Sequence, residues 1–178
     1  FSCIINADGS MNPEYLQSML ENCNDKDLVF ASRYLKPNGG SEDDTILTFI
    51  GNKIFTFLGN LFYNLKLSDI LFTYIIGKTS SFKNLDLKSY DFRLCVELPI
   101  KAKQKKYIYS SLGCYERKRI AGKKKVNEFK DGFLILYAIF RYLIWYKENN
   151  NEKKGIDIRS NRPGRILSIW IFNKKKNI

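Results

Sequence analysis

The segment that most constrains this chain is its first one. An apolar run, Phe1-Ser2-Cys3-Ile4-Ile5, stops abruptly at Asn6-Ala7-Asp8-Gly9-Ser10 and gives way to Asn12-Pro13-Glu14. A short apolar run bounded by turn residues reads as a buried strand. Asn12-Pro13-Glu14 reads as a helix start, with Asn as the cap, Pro at the first helical position and an acid in the first turn. Strand, acidic loop and helix in direct succession suit an open α/β sheet, where ligands bind beyond the carboxyl ends of the strands. A carboxylate there can hold a divalent cation against a diphosphate, because Mg²⁺-type ions share oxygen ligands between protein and phosphate. Asp8-Gly9-Ser10 is equally ordinary turn chemistry, and the tripeptide alone does not separate the two readings.

The rest of the chain continues the alternation. A helix from Glu14 to about Glu21 presents Leu16, Met19 and Leu20 to a core, and Leu28-Val29-Phe30-Ala31 is a short buried strand that ends in Ser32-Arg33-Tyr34. Lys36 to Asp44 has the composition of a mobile loop. From Ile46 to about Leu65 the period is helical, with a polar stripe of Asn52, Thr56, Asn60 and Asn64 against a wide apolar face. Such a helix is either largely buried or touches lipid. Ile70–Ile76 is strand-like, Phe92–Ile100 is a mixed apolar segment containing Glu97, and Tyr107–Leu112 alternates as a strand does.

Asp131–Tyr146 is apolar nearly all round, interrupted by Arg141. As a helix it spans about 24 Å at about 1.5 Å per residue, short of the roughly 30 Å of a bilayer core. It suits a headgroup plane, with Tyr142, Trp145 and Tyr146 at the interface, or the core of a domain. A polar linker, Lys147–Arg165, leads to a second apolar patch at Ile166–Phe172 and a closing run of Lys174, Lys175 and Lys176.

Charge narrows the partners. Lys and Arg number 30 against 18 Asp and Glu, a net charge of +12, which implies an anionic partner: nucleic acid, a lipid headgroup surface or a phosphorylated ligand. The densest cationic stretch, Tyr115–Val126, places Arg117, Arg119 and Lys123–Lys125 around Gly122. Arginines pair with phosphate oxygens and a glycine lets backbone approach a ligand, although such runs are also common as solvated loops. A noncatalytic basic protein that binds anionic lipid or nucleic acid stays open as the alternative, but nucleic acid is not the expected partner, because aromatic side chains interleaved on an exposed sheet are missing. The chain has no histidine, the usual general base, and its four cysteines are scattered without a C-x-x-C pair. A zinc site is therefore not expected, and free thiols in a reducing compartment account for the cysteines.

Taken in order, these segments resemble the catalytic half of family 2 glycosyltransferases, of the polyprenyl-phosphate and dolichol-phosphate sugar transferase type, from Phe1 to about Ile144. Asn6-Ala7-Asp8-Gly9-Ser10 resembles the D-x-D metal motif, followed by Pro13-Glu14. Asp27-Leu28-Val29-Phe30-Ala31-Ser32-Arg33-Tyr34 resembles the strand that ends in S-R-Y. Asp69–Tyr74 takes the place of the acceptor-side Asp segment, and Phe92–Ala102, with Glu97, that of the acidic acceptor-site helix. Arg119–Lys125 resembles the R-x-x-G-x-S-K loop over the donor diphosphate, and Asp131–Leu136 the D-G-x-x-I-L start of a juxtamembrane helix.

The resemblance implies a partial GT-A, Rossmann-like α/β sheet with flanking helices over residues 1–128, an interfacial helix over 129–147 and a basic linker with an apolar tail over 148–178. It implies Mg²⁺ or Mn²⁺ on Asp8 and Asn6. It implies a donor nucleoside-diphosphate sugar held by Ser32, Arg33, Arg117, Arg119, Gly122 and Lys125. The acceptor is a lipid phosphate or a glycan. A lipid phosphate is already anionic; a hydroxyl acceptor makes Glu97 or Asp69 the candidate general base, although either acid also suits a cap or an ion pair. The location implied is the cytoplasmic face of the cell membrane, peripheral on an anionic leaflet.

The chain departs from the family pattern in three ways. Asn6 replaces the first carboxylate of the metal motif, which lowers the expected cation affinity. Lys124 stands where the loop carries Ser, and Arg93 where relatives often carry an acid. The upstream strand with its P-x-x-N-E and V-D-D-G-S motifs does not precede Phe1, so the expectation is a chain inactive alone and completed by a separate amino-terminal half.

Overall fold

The computed structural model describes residues 1–120 and 127–152, with side chains through Ile144 in the last helix. A four-stranded mixed sheet has the order β1 (Ser2–Ile4), β4 (Ile75–Gly77), β2 (Leu28–Ser32), β5 (Tyr109–Gly113). β2 and β5 pair in parallel, with Leu28 opposite Tyr109 and Ser32 opposite Gly113. β4 is antiparallel to both β1 and β2. It follows that β1, β2 and β5 point the same way and deliver their carboxyl ends to one edge. That edge is where an open α/β sheet places its ligands.

β2 is buried along its whole length, as a central strand covered on both faces must be. Leu28 and Phe30 face one core with Tyr63, Ile75, Leu98, Ile100 and Ile139. Val29 and Ala31 face the other with Met19, Cys23, Tyr74 and Ile76. Helix α1 (Tyr15–Glu21) covers the second face. Helices α2 (Ile46–Tyr63), α4 (Leu94–Gln104) and α5 (Glu128–Glu152) cover the first, and the short α3 (Thr79–Asn84) follows β4. α1 begins two residues after Pro13, the expected first helical position, and the Asn12 side chain still accepts the Glu14 N–H at 3.1 Å.

Three expectations change. The strand expected over Ile70–Ile76 shrinks to Ile75–Gly77. Ile70 instead lies in a loop, and its N–H donates to Thr56 Oγ1 at 3.1 Å. The loop expected to be mobile is tied down at its end: β3 (Gly40–Ser41) pairs in parallel with β6 (Tyr115–Glu116). α5 is longer than the expected segment and joins the core through Ile135, Ala138 and Ile139. The helix set apart at 129–147 is thus packed into the same core as the sheet.

α2 is inside out relative to a soluble helix. Its polar stripe faces inward: Asn52 donates to Asp69 at 2.8 Å, and Asn60 bonds the Leu67 backbone in both directions at 2.7 and 3.1 Å. Thr56 is bonded to Asn52 as well as to Ile70. Part of the apolar face is left outside, with Ile46 81% and Phe57 62% exposed and Ile50, Ile54 and Leu61 about half exposed, while Phe55, Leu58 and Phe62 pack against the core. α5 packs on α2, with Phe62 and Phe140 rings 5.8 Å apart, and exposes Phe129, Phe133, Tyr137 and Ile144.

Candidate functional site

Three loops meet at the carboxyl edge of the sheet: the one after β1, the one that runs from β3 to α2, and the one after β6. They are stitched by backbone. Arg117 N donates to Ser10 O and Ile120 N to Asp8 O, both at 2.9 Å, and Met11 bridges Glu116. Lys118 N donates to Glu42 Oε2 at 3.0 Å. Gly9 sits under Ile120 with φ +79°; a Cβ there would lie 2.9 Å from the Ile120 side chain. Glycine is required on both counts, conformation and space.

Asp8 and Arg119 meet in this cluster. Asp8 Oδ1 accepts the Ser10 N–H at 3.0 Å, a local turn bond, and Oδ2 faces Arg119 at 3.6 Å. Arg119 also grips Asp43 through Nε at 3.3 Å and a terminal nitrogen at 2.5 Å. The Asp43 hydrogen bonds, more than any other influence, hold the Arg119 guanidinium above its ordinary pKa. Asn6, Asp43 and Arg119 line a cleft of about 280 Å³ together with Leu47, Phe55 and Phe129, so charged and apolar side chains share its wall.

Arg33 also lines the cleft, and its guanidinium is committed to protein. It makes Nε and terminal-nitrogen bonds to Asp69 at 2.8 and 3.1 Å, and further bonds to Asp44 and Glu116 at 3.3 Å. The Phe72 ring packs on it at 4.9 Å. Burial works against its charge, but Asp69 and Glu116 outweigh burial and raise its pKa further. Glu116 shows the opposite balance. Burial pushes its carboxyl above the usual range despite Arg33 and Ser41. Ser32, like Arg33 expected at the donor diphosphate, is buried and bonded to Ser68 and the Tyr34 N–H.

The two candidate bases are placed differently from that expectation. Asp69 is buried and accepts from the Arg33 backbone, the Arg33 side chain and Asn52, so it anchors Arg33 rather than facing a ligand. Glu97 does not line the cleft. Its carboxylate caps the Lys88 and Ser89 N–H groups at 2.7 Å each and pairs with Lys101 at 2.7 Å. Asp69 thus takes the ion-pair role open to it, and Glu97 takes both the cap and the ion pair. Arg117 reaches away to Glu14 at 3.1 Å on the surface. Gly122 and Lys125 lie outside the described residues.

Glu97 yields a pH prediction. Burial opposes its charge, but Lys101, Ser89 and Lys88 outweigh burial and hold its carboxyl below the usual range. With a folded pKa below the unfolded one, the stabilisation is complete above the ordinary glutamate value of about 4.3 and is lost as pH falls through the folded value. Thermal melts from pH 5 to 3 are expected to fall more steeply for the native chain than for Glu97→Gln. Equal slopes would remove Glu97 from the acid limb.

Among the described residues no group of three or more Asp, Glu or Cys side chains is placed to hold a metal ion. Asn6 lines the cleft, whereas Asp8 lies beside Arg119 and offers one carboxylate oxygen there. A Mg²⁺-type ion held by so few protein oxygens would take most of its shell from water and ligand phosphate. Cys95 also lines the cleft, but burial pushes its thiol up to about 12, which removes it as a thiolate nucleophile at neutral pH.

Sequence reasoning missed Asp43, Asp44, Glu116 and Asn52. The first two fall in a stretch whose composition reads as a loop, and Asn52 in a polar stripe. An acidic pair ending a glycine-rich loop just before a helix was the available signal for Asp43 and Asp44. No protein-family model matches the chain, and no curated protein matches it.

Proposed function

We propose that this chain is the carboxyl-terminal catalytic part of a membrane-surface glycosyltransferase, which transfers a sugar from a nucleoside diphosphate to a lipid-phosphate or glycan acceptor. The observation that carries the reading is the meeting of Asp8, in the loop after β1, with Arg119, which lines a cleft beyond the carboxyl edge of the sheet. A carboxylate and an arginine side by side suit a metal-bound diphosphate, which needs both a cation ligand and a direct cationic partner. Asp8 and Asn6 hold Mg²⁺ or Mn²⁺, which when bound neutralises charge on the leaving diphosphate. Arg119 donates hydrogen bonds to the same leaving group, and Lys125, six residues further along the sequence, adds a second cation in the proposed role. Asp69 and Asn52 act through Arg33, which holds Asp44 and Glu116 and so shapes the floor of the cleft.

The apolar faces of α2 and α5 support the membrane part of the reading. Exposed apolar surface on this scale marks an interaction site, and the net charge of +12 favours an anionic leaflet. α2 is the one helix among the described residues long and apolar enough to cross a membrane by length and composition. Its inward polar stripe is bonded to the domain, however, so it meets lipid from the surface. Phe57→Glu combined with Phe133→Glu is expected to lower co-sedimentation with anionic phospholipid vesicles by about tenfold or more, since each buried aromatic contributes about 1.5–3 kcal/mol. Unchanged co-sedimentation would detach these helices from membrane binding.

The functional test is transfer of labelled sugar from a panel of nucleoside-diphosphate sugars to a polyprenyl phosphate in vesicles, by the protein as it occurs in the cell. Transfer that chelation of divalent cations abolishes is the expected result. Binding to the same vesicles that ignores every nucleotide sugar and collapses with salt would favour a noncatalytic, charge-driven lipid-binding protein.

A further inference from the structure

Arg119 occupies an unusual position for a residue that is to bind a ligand anion: in the free chain it already lies between two carboxylates. Asp43 takes Nε and one terminal nitrogen, and the remaining terminal nitrogen faces Asp8 Oδ2 at 3.6 Å. The other Asp8 oxygen is engaged by the Ser10 N–H, so Oδ2 is the oxygen turned toward the arginine. The backbone on either side of Arg119 is fastened, Arg117 to Ser10 and Ile120 to Asp8. Asp43 is held in turn by Ser41 Oγ, which accepts its N–H at 3.2 Å and donates to Glu116 at 2.6 Å.

We infer that Asp43 is a positioning residue that parks Arg119 over Asp8, so that a divalent cation and Arg119 exclude one another there until a diphosphate draws the arginine away. This rests on the diphosphate reading of the cleft. A guanidinium and a divalent cation so close to one carboxylate oxygen repel each other. A diphosphate removes the conflict. Its oxygens accept the arginine's paired donors in place of Asp43 and complete the shell of the cation. Metal and diphosphate binding are then positively coupled, and the coupling is the same measured from either side.

Two measurements on the full chain test this. The first is Mn²⁺ alone, followed by the electron paramagnetic resonance of free Mn²⁺. Arg119→Gln is expected to bind Mn²⁺ at least about fivefold more tightly than the native chain, the low end of usual coupling, while Arg119→Lys, which keeps a cation, stays close to native. The second is equilibrium dialysis of labelled inorganic pyrophosphate without metal. Asp43→Asn is expected to bind it several-fold more tightly, because Arg119 is released from its competitor; a purely structural Asp43 would give weaker binding.

Circular dichroism melts establish that each variant is folded, and the Asp43→Asn and Arg119→Lys arms still decide the matter if Arg119→Gln is not. Equal Mn²⁺ affinity in Arg119→Gln and native chain, or weakened pyrophosphate binding in Asp43→Asn, overturns the inference. If the native chain still retains pyrophosphate with Mn²⁺ present, the diphosphate reading survives that result. If it does not, both fall together.

Discussion

Arg33→Met is expected to destabilise the chain by about 3–5 kcal/mol, the cost of leaving a buried charge without its partner. The Asp69 side chain is fully buried and Arg33 supplies three of its four hydrogen bonds, two from the side chain and one from the backbone. Removing the guanidinium leaves Asn52 and a single backbone N–H to satisfy the carboxylate, and also releases Asp44 and Glu116. Asp69→Ala should cost a similar amount. The double variant Arg33→Met/Asp69→Leu should recover part of the loss, because it removes both charges at once. Urea unfolding with an unchanged slope measures all three. A single-variant loss below about 1 kcal/mol, the range of exposed pairs, would show that the network does not hold the cleft floor.

The second large effect concerns chemistry. Asp8→Ala and Arg119→Ala are each expected to lower sugar transfer by about 10²–10³-fold, the usual loss when one charge-stabilising group is removed from a transition state. Stability should move little, by up to about 1 kcal/mol, because both side chains are 22% exposed and ion pairs outside the core contribute in that range. Melting temperatures taken beside transfer rates separate the two effects. A variant that transfers at the native rate would remove that residue from the proposed role.

Much of the fold was legible because its signals are local. The apolar run before Asn6, the buried strand at Leu28–Ser32 and the four-residue polar stripe of α2 each state their geometry within one element. The stripe left open whether α2 is buried or touches lipid. Only the tertiary position of Asp69 and the Leu67–Ile70 loop, which draw Asn52, Asn60 and Thr56 inward, turns the apolar face out. Asp8 and Arg119 were both expected at a metal-bound diphosphate, but Asp43, which holds Arg119, was hidden. Its role depends on the β3–β6 pairing, a long-range contact that no local pattern encodes. The partners of Asp69 and Glu97 were hidden for the same reason: a carboxylate that caps a loop and one that waits for a substrate look alike until their hydrogen bonds are seen.

The most direct measurement of the central claim is calorimetric titration of the full chain with uridine and guanosine diphosphate, each with Mn²⁺ and with chelator, repeated on Arg119→Ala and Asp8→Ala. Saturable binding of at least one diphosphate that needs Mn²⁺ and is lost in both variants is the expected result. Failure of both diphosphates to bind, or binding that survives in both variants, would contradict it.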